Sequence, residues 1–171
     1  GLTDDATVVA LLPGSRRSEI KALVPLLARS AARLHAQRPG LSFILPVVPG
    51  LGEQVSALLA QHGAGVPIRC LDGRSHEALA ACDVTVVASG TATLEAALFK
   101  RPMVIVYRMN ALSWWRMKRM RYQPWAGLPN ILAREFLVPE LIRDDATPEA
   151  VCRETLAWLD QPARVEALQA R

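Results

Sequence analysis

The chain has 171 residues, 51% of them hydrophobic and 21% charged, with 20 Lys and Arg against 16 Asp and Glu for a formal net charge of +4. That balance excludes disordered, collagen-like and low-complexity chains, and the length suits a single self-supporting core. No apolar run reaches the ~18–20 residues that a membrane span requires. The opening Gly1-Leu2-Thr3-Asp4-Asp5 carries neither the basic nor the apolar part of a secretory leader. Three cysteines without metal-type spacing (Cys70, Cys82, Cys152) point to free thiols in a reducing compartment. The expectation is one soluble, cytoplasmic domain over residues 1–171.

The elements follow in chain order. Residues 7–12 (Thr-Val-Val-Ala-Leu-Leu) form an apolar run of strand length stopped by Pro13-Gly14, as suits a strand buried on both faces. Helical spacing of Ile20, Leu23, Val24, Leu27, Ala31 and Leu34 predicts a helix from about 17 to 37, ended by Pro39-Gly40. The alternation then repeats: strand 42–48, helix 53–62, strand 68–71, helix 75–81, strand 84–88, helix 91–99 and strand 103–107. Five strands separated by helices predict an α/β fold, a doubly wound, Rossmann-like parallel sheet. Beyond it, 111–122 reads as helical, 124–129 as loop, and 148–159 and 162–171 as helices with Pro at their starts.

In such a sheet, ligands bind beyond the carboxyl ends of the strands. Two loops there are rich in small and hydroxyl residues. After the first strand, Gly14 permits close backbone approach, Ser15 is a candidate helix cap, and Arg16 offers a forked contact to phosphate. After the fourth, Ser89-Gly90-Thr91-Ala92 opens a helix with free backbone N–H groups, and Glu95 stands about one turn in, placed to accept from a ribose diol. Neither loop is a GxGxxG or Walker sequence. Two such openings on neighbouring strands point to a diphosphate-bearing ligand. His76 reads as a cap or turn residue, while Asn130, a polar residue among apolar neighbours, is a candidate sugar or phosphate contact. No His/Cys/Asp/Glu cluster suggests a metal, and nothing suggests acyl transfer.

Residues 109–122 combine Trp114, Trp115 and Met117 with Arg116, Lys118, Arg119 and Arg121. Aromatics beside cations are the composition of a segment that meets anionic lipid headgroups. Nucleic acid is disfavoured, because no RNA- or DNA-binding pattern surrounds these cations.

These motifs occur together in one known family. Leu11-Leu12-Pro13-Gly14-Ser15-Arg16, Leu71-Asp72-Gly73, Ala88-Ser89-Gly90-Thr91-Ala92-Thr93-Leu94-Glu95, Tyr107-Arg108-Met109 and Leu128-Pro129-Asn130-Ile131-Leu132-Ala133 resemble, in order, the C-terminal half of the lipid-A-disaccharide synthases, which are inverting GT-B glycosyltransferases. The resemblance implies transfer of 2,3-diacylglucosamine from its UDP derivative to 2,3-diacylglucosamine 1-phosphate, without metal or other cofactor. It also implies that Gly14, Ser15, Arg16, Ser89, Gly90, Thr91 and Ala92 lie at the phosphates, Glu95 at the ribose and Leu71, Asp72 and Gly73 near the uracil. Arg16 and Asn130 fall at the reacting centre, and the Trp/Arg tract at the inner-membrane surface. The general base and acceptor pocket belong to an N-terminal half that has no counterpart in these residues, so the expectation is nucleotide binding without turnover. A homodimer is a further implication. Another UDP-sugar GT-B enzyme, such as a UDP-N-acetylglucosamine 2-epimerase or a peptidoglycan-type transferase, is the alternative; a non-catalytic flavodoxin-like module is a third possibility.

Overall fold

A computed structural model describes residues 6–108 and 124–171. Six strands form one sheet: β1 (Val8–Leu12), β2 (Ser42–Val47), β3 (Ile68–Asp72), β4 (Val84–Ala88), β5 (Met103–Tyr107) and β6 (Glu140–Ile142). The helices are α1 (Arg17–Gln37), α2 (Gly52–His62), α3 (Ser75–Ala81), α4 (Ala92–Leu98), α5 (Leu128–Ala133), α6 (Pro148–Leu159) and α7 (Pro162–Gln169).

The strand order is β3-β2-β1-β4-β5-β6, and every pairing is parallel. β1, at the centre, is set in register by Val9 opposite Phe43 on one side and Ala10 opposite Thr85 on the other. β1 and β4 are buried along their whole length, as apolar and β-branched runs covered on both faces must be. By contrast, edge strand β3 leaves Arg69, Cys70 and Asp72 exposed. Buried hydroxyls are satisfied locally: Ser30 Oγ donates to the Leu26 carbonyl (2.8 Å) and Thr85 Oγ1 to that of Ala10 (3.2 Å). α6 begins with Thr147 accepting from the Ala150 amide at 3.1 Å and with Pro148 in the first turn. It packs on α1 and sends Trp158, fully buried, to donate to the Met103 carbonyl at 3.0 Å.

Within the described residues the predicted strands and helices are found with ends within two residues. Besides a short 3-10 turn at Arg143–Asp145, two elements lie outside the prediction. α5 starts at Leu128 inside the span expected to be loop; Gly127 caps it, and Pro129 sits in its first turn, where a missing N–H costs nothing. β6 makes the sheet six-stranded rather than five. It is only three residues long and opens on Glu140, so it carries no β-branched run to announce it. The segment expected to be helical at 111–122 lies outside the described residues.

Candidate functional site

The strand order reverses between β1 and β4, and the loops leaving their carboxyl ends part there to open a crevice. It is a cleft of about 510 Å3. One wall is Pro13 to Arg16 with Glu19, and the facing wall is Ala88 to Ala92 with Glu95. Pro46 to Pro49 and Gly73 close one end. The structure therefore brings Gly14, Ser15, Arg16, Gly73, Ser89, Gly90, Thr91, Ala92 and Glu95 to one cavity.

The two walls differ in how far a side chain already occupies their amides. On the β4 side, the Ser89 amide is spent on the Val106 carbonyl (3.0 Å), and those of Thr93, Leu94 and Glu95 turn back onto Gly90 and Thr91. Among the described residues the amides of Gly90, Thr91 and Ala92 have no acceptor. Three consecutive unpaired donors at the rim of a cleft are what a pyrophosphate can satisfy without a counter-ion. Thr93 Oγ1, buried, donates to the Gly90 carbonyl at 2.6 Å and pins the loop from behind.

On the β1 side two of the donors are already filled. The Glu19 carboxylate, one turn into α1, accepts from the amides of Ser15 (3.0 Å) and Arg16 (3.1 Å), both through Oε2. Its other oxygen pairs with the Arg16 guanidinium at 3.1 Å. Both helix starts expected as anion sites keep free amides, since those of Gly14, Arg17 and Ser18 have no acceptor among the described residues, but at the first an acidic side chain of α1 already occupies two donors. A signal for this exists in the sequence, since Glu at the third helical position is half of a capping box. Arg16 remains available to an anion. Its side chain is 80% exposed, and an exposed ion pair of this kind holds it by no more than ~1 kcal/mol.

Gly73, at φ +64°, takes the left-handed turn after β3, and its amide donates to the Val47 carbonyl at 2.8 Å. Leu71 and Asp72 are not brought to the cleft: Leu71 packs against the core, and Asp72 is exposed at the strand end. Asn130 is not brought there either. It is fully buried, with Nδ2 donating to the Val138 carbonyl and to Glu140 Oε1 (both 2.8 Å), while Oδ1 accepts from the amides of Leu137 (2.9 Å) and Val138 (3.0 Å). With both ends of its amide engaged, Asn130 braces the turn from α5 to β6 instead of facing a ligand. Glu140 completes the brace by accepting from the amides of Ala126 and Gly127 (both 2.8 Å). The Ala126 carbonyl in turn takes the Ser89 hydroxyl at 3.4 Å, linking the brace to the cleft edge.

His76 is not a turn residue. It lies inside α3, with Nε2 3.2 Å from Glu95 Oε2. Trp114, Trp115, Arg116, Lys118, Arg119 and Arg121 lie outside the described residues. Among the described residues no helix is long and apolar enough to cross a membrane.

Among solved structures, the fold is similar to that of a UDP-GlcNAc 2-epimerase from Neisseria meningitidis bound to UDP-GlcNAc (TM-score 0.68, 13% identity, 98% of this chain and 40% of that one). It is also similar to that of the E. coli ADP-heptose LPS heptosyltransferase II (TM-score 0.63, 19% identity, 95% and 49%). At these identities the likeness is one of fold. Sequence relatives are nearer: the chain is 51% identical over 175 aligned residues to a lipid-A-disaccharide synthase from Verminephrobacter eiseniae, covering all of this chain and 45% of the relative. It is 53% identical over 161 residues to one from Pseudomonas savastanoi pv. phaseolicola, covering 94% and 42%. The chain thus spans less than half the length of these relatives. The family model for lipid-A-disaccharide synthetase matches residues 1–170, and the chain belongs to that family of glycosyltransferases.

Proposed function

We propose that this chain is the donor-nucleotide half of a lipid A glycosyltransferase. The reaction is transfer of 2,3-diacylglucosamine from its UDP derivative to 2,3-diacylglucosamine 1-phosphate, giving the disaccharide 1-phosphate and UDP. The observation that carries the reading is the run of unpaired amides at Gly90, Thr91 and Ala92, at the rim of the switch-point cleft.

The leaving group in such a transfer is a diphosphate, and its departure is easier where fixed donors await the developing charge. The three amides do this on one wall, and the exposed Arg16 guanidinium reaches the same anion from the other. Arg16 adds charge, while the Ser15 and Arg16 amides are left to Glu19. Glu95, which lines the cleft, receives the ribose hydroxyls. The uracil lies toward Gly73 and the Pro46–Pro49 wall, with Leu71 and Asp72 supporting that wall from behind.

An inverting transfer also requires a base on the acceptor hydroxyl and the acceptor held in line with the anomeric carbon. We assign both to the part of the relatives that this chain does not span, so the chain alone binds UDP and does not turn over. The Trp114–Arg121 tract serves the inner-membrane surface from the cytoplasmic side, and the intact enzyme is a homodimer. Calorimetric titration with UDP tests the core of the reading: saturable heat supports it, and its absence in the folded chain overturns it. Disaccharide formed by the purified chain would overturn the assignment of the base.

A further inference from the structure

α3 lies beside α4, and one side chain bridges them. His76, second in α3, places Nε2 3.2 Å from Glu95 Oε2, and its ring sits 5.8 Å from that of Phe99 at a tilt of 44°. Glu95 and Phe99 are four residues apart and so fall on one side of α4 and its C-cap. The imidazole, although 70% exposed, is therefore held at two points. Among the described residues the Glu95 carboxylate has no other partner. Neighbouring charges are engaged elsewhere: Arg74 and Glu77 pair with each other along α3, and Arg101, after α4, donates to the carbonyls of Leu79 and Ala80.

A carboxylate has two oxygens and about four lone-pair positions. His76 Nε2 stands at ion-pair distance from Oε2, and among the described residues Oε1 has no partner. Two hydroxyls on adjacent ring carbons need two acceptors side by side, which a carboxylate supplies when its plane is fixed. A freely rotating carboxylate must be frozen on binding, and that ordering weakens the complex.

We propose that His76 is a positioning residue that fixes the plane of Glu95, so that the carboxylate accepts from the vicinal diol of a nucleotide's ribose. This rests on the donor-nucleotide reading of the cleft and adds how the cleft selects its sugar. The test is calorimetric titration of the chain with UDP and with 2′,3′-dideoxy-UDP, comparing wild type, His76→Ala and His76→Gln. Wild type binds UDP more tightly than the dideoxy compound. His76→Ala weakens UDP by about 3- to 10-fold, the size of one hydrogen bond, and leaves the dideoxy compound unchanged. His76→Gln, which keeps an N–H donor, regains most of the loss. Equal weakening of both nucleotides, or unchanged UDP affinity in His76→Ala, overturns the role of His76 while leaving the nucleotide reading standing. A folded wild-type chain that binds neither nucleotide overturns that reading, and this inference with it.

Discussion

Glu19 occupies the space that a side chain at position 14 would need: a Cβ built on Gly14 overlaps Glu19 Oε2 and stands 3.0 Å from its carboxyl carbon. Gly14 is also at φ +93°, a conformation that residues with a side chain rarely adopt. The glycine and the glutamate form one device, in which the bare backbone lets the carboxylate reach the amides of Ser15 and Arg16. Glu19→Ala removes a cap and is expected to cost about 0.5–2 kcal/mol in urea unfolding. Gly14→Ala is expected to cost about 1–3 kcal/mol. The double variant should cost less than the sum of the two, because the overlap disappears with the carboxylate while the backbone strain stays. Strict additivity would show that the two positions do not act together.

The free amide of Thr91 gives a second test, of binding alone. Thr91 has φ −60°, the value proline requires, its amide has no acceptor, and its side chain is exposed. Thr91→Pro therefore removes one donor at little structural cost. Unfolding should shift by less than about 1 kcal/mol, and UDP affinity should fall by roughly tenfold or more, the scale of one hydrogen bond to a charged oxygen. An unchanged dissociation constant in a folded Thr91→Pro chain would remove that amide from the site.

How much of this is legible in the sequence depends on how local the physics is. β1, β4 and β5 announce themselves because strands buried on both faces must be continuously apolar, and Ser89 to Ala92 because a loop leading into a helix at a sheet edge is rich in small residues. The pairing of His76 with Glu95 is hidden, because it joins two helices whose adjacency only the sheet order sets. Asn130 shows the converse failure. A polar residue among apolar neighbours fits a ligand contact and a buried brace equally well, and only its four partners decide for the brace.

The Asn130 brace predicts a stability effect. Asn130→Ala strands the buried Val138 amide and carbonyl and leaves a cavity under α5, so it should cost about 2–4 kcal/mol in urea unfolding. Asn130→Asp should be comparably damaging, since the new carboxylate cannot donate to the Val138 carbonyl and would face that of Glu140. Near-wild-type stability in both variants would count against the brace.

Cys82 links stability to alkaline pH. Burial pushes its thiol up to about 11 from an ordinary 9.0, with Arg101 pulling the other way and Asp83 adding to the rise. Below pH 9 the thiol is protonated in both the folded and the unfolded chain, and stability is unaffected by it. Between about 9 and 11 the unfolded chain gives up a proton that the folded chain keeps, so stability falls as pH rises through this window. Two pH units correspond to roughly 2–3 kcal/mol at completion. Tyrosines and lysines also titrate at these pH values, so the comparison is between wild type and Cys82→Ala, which share all other groups. The stability advantage of wild type over Cys82→Ala should shrink steadily from pH 9 to 11 in urea unfolding. A difference that stays constant across that range would mean that the Cys82 thiol ionises alike in the folded and unfolded chains.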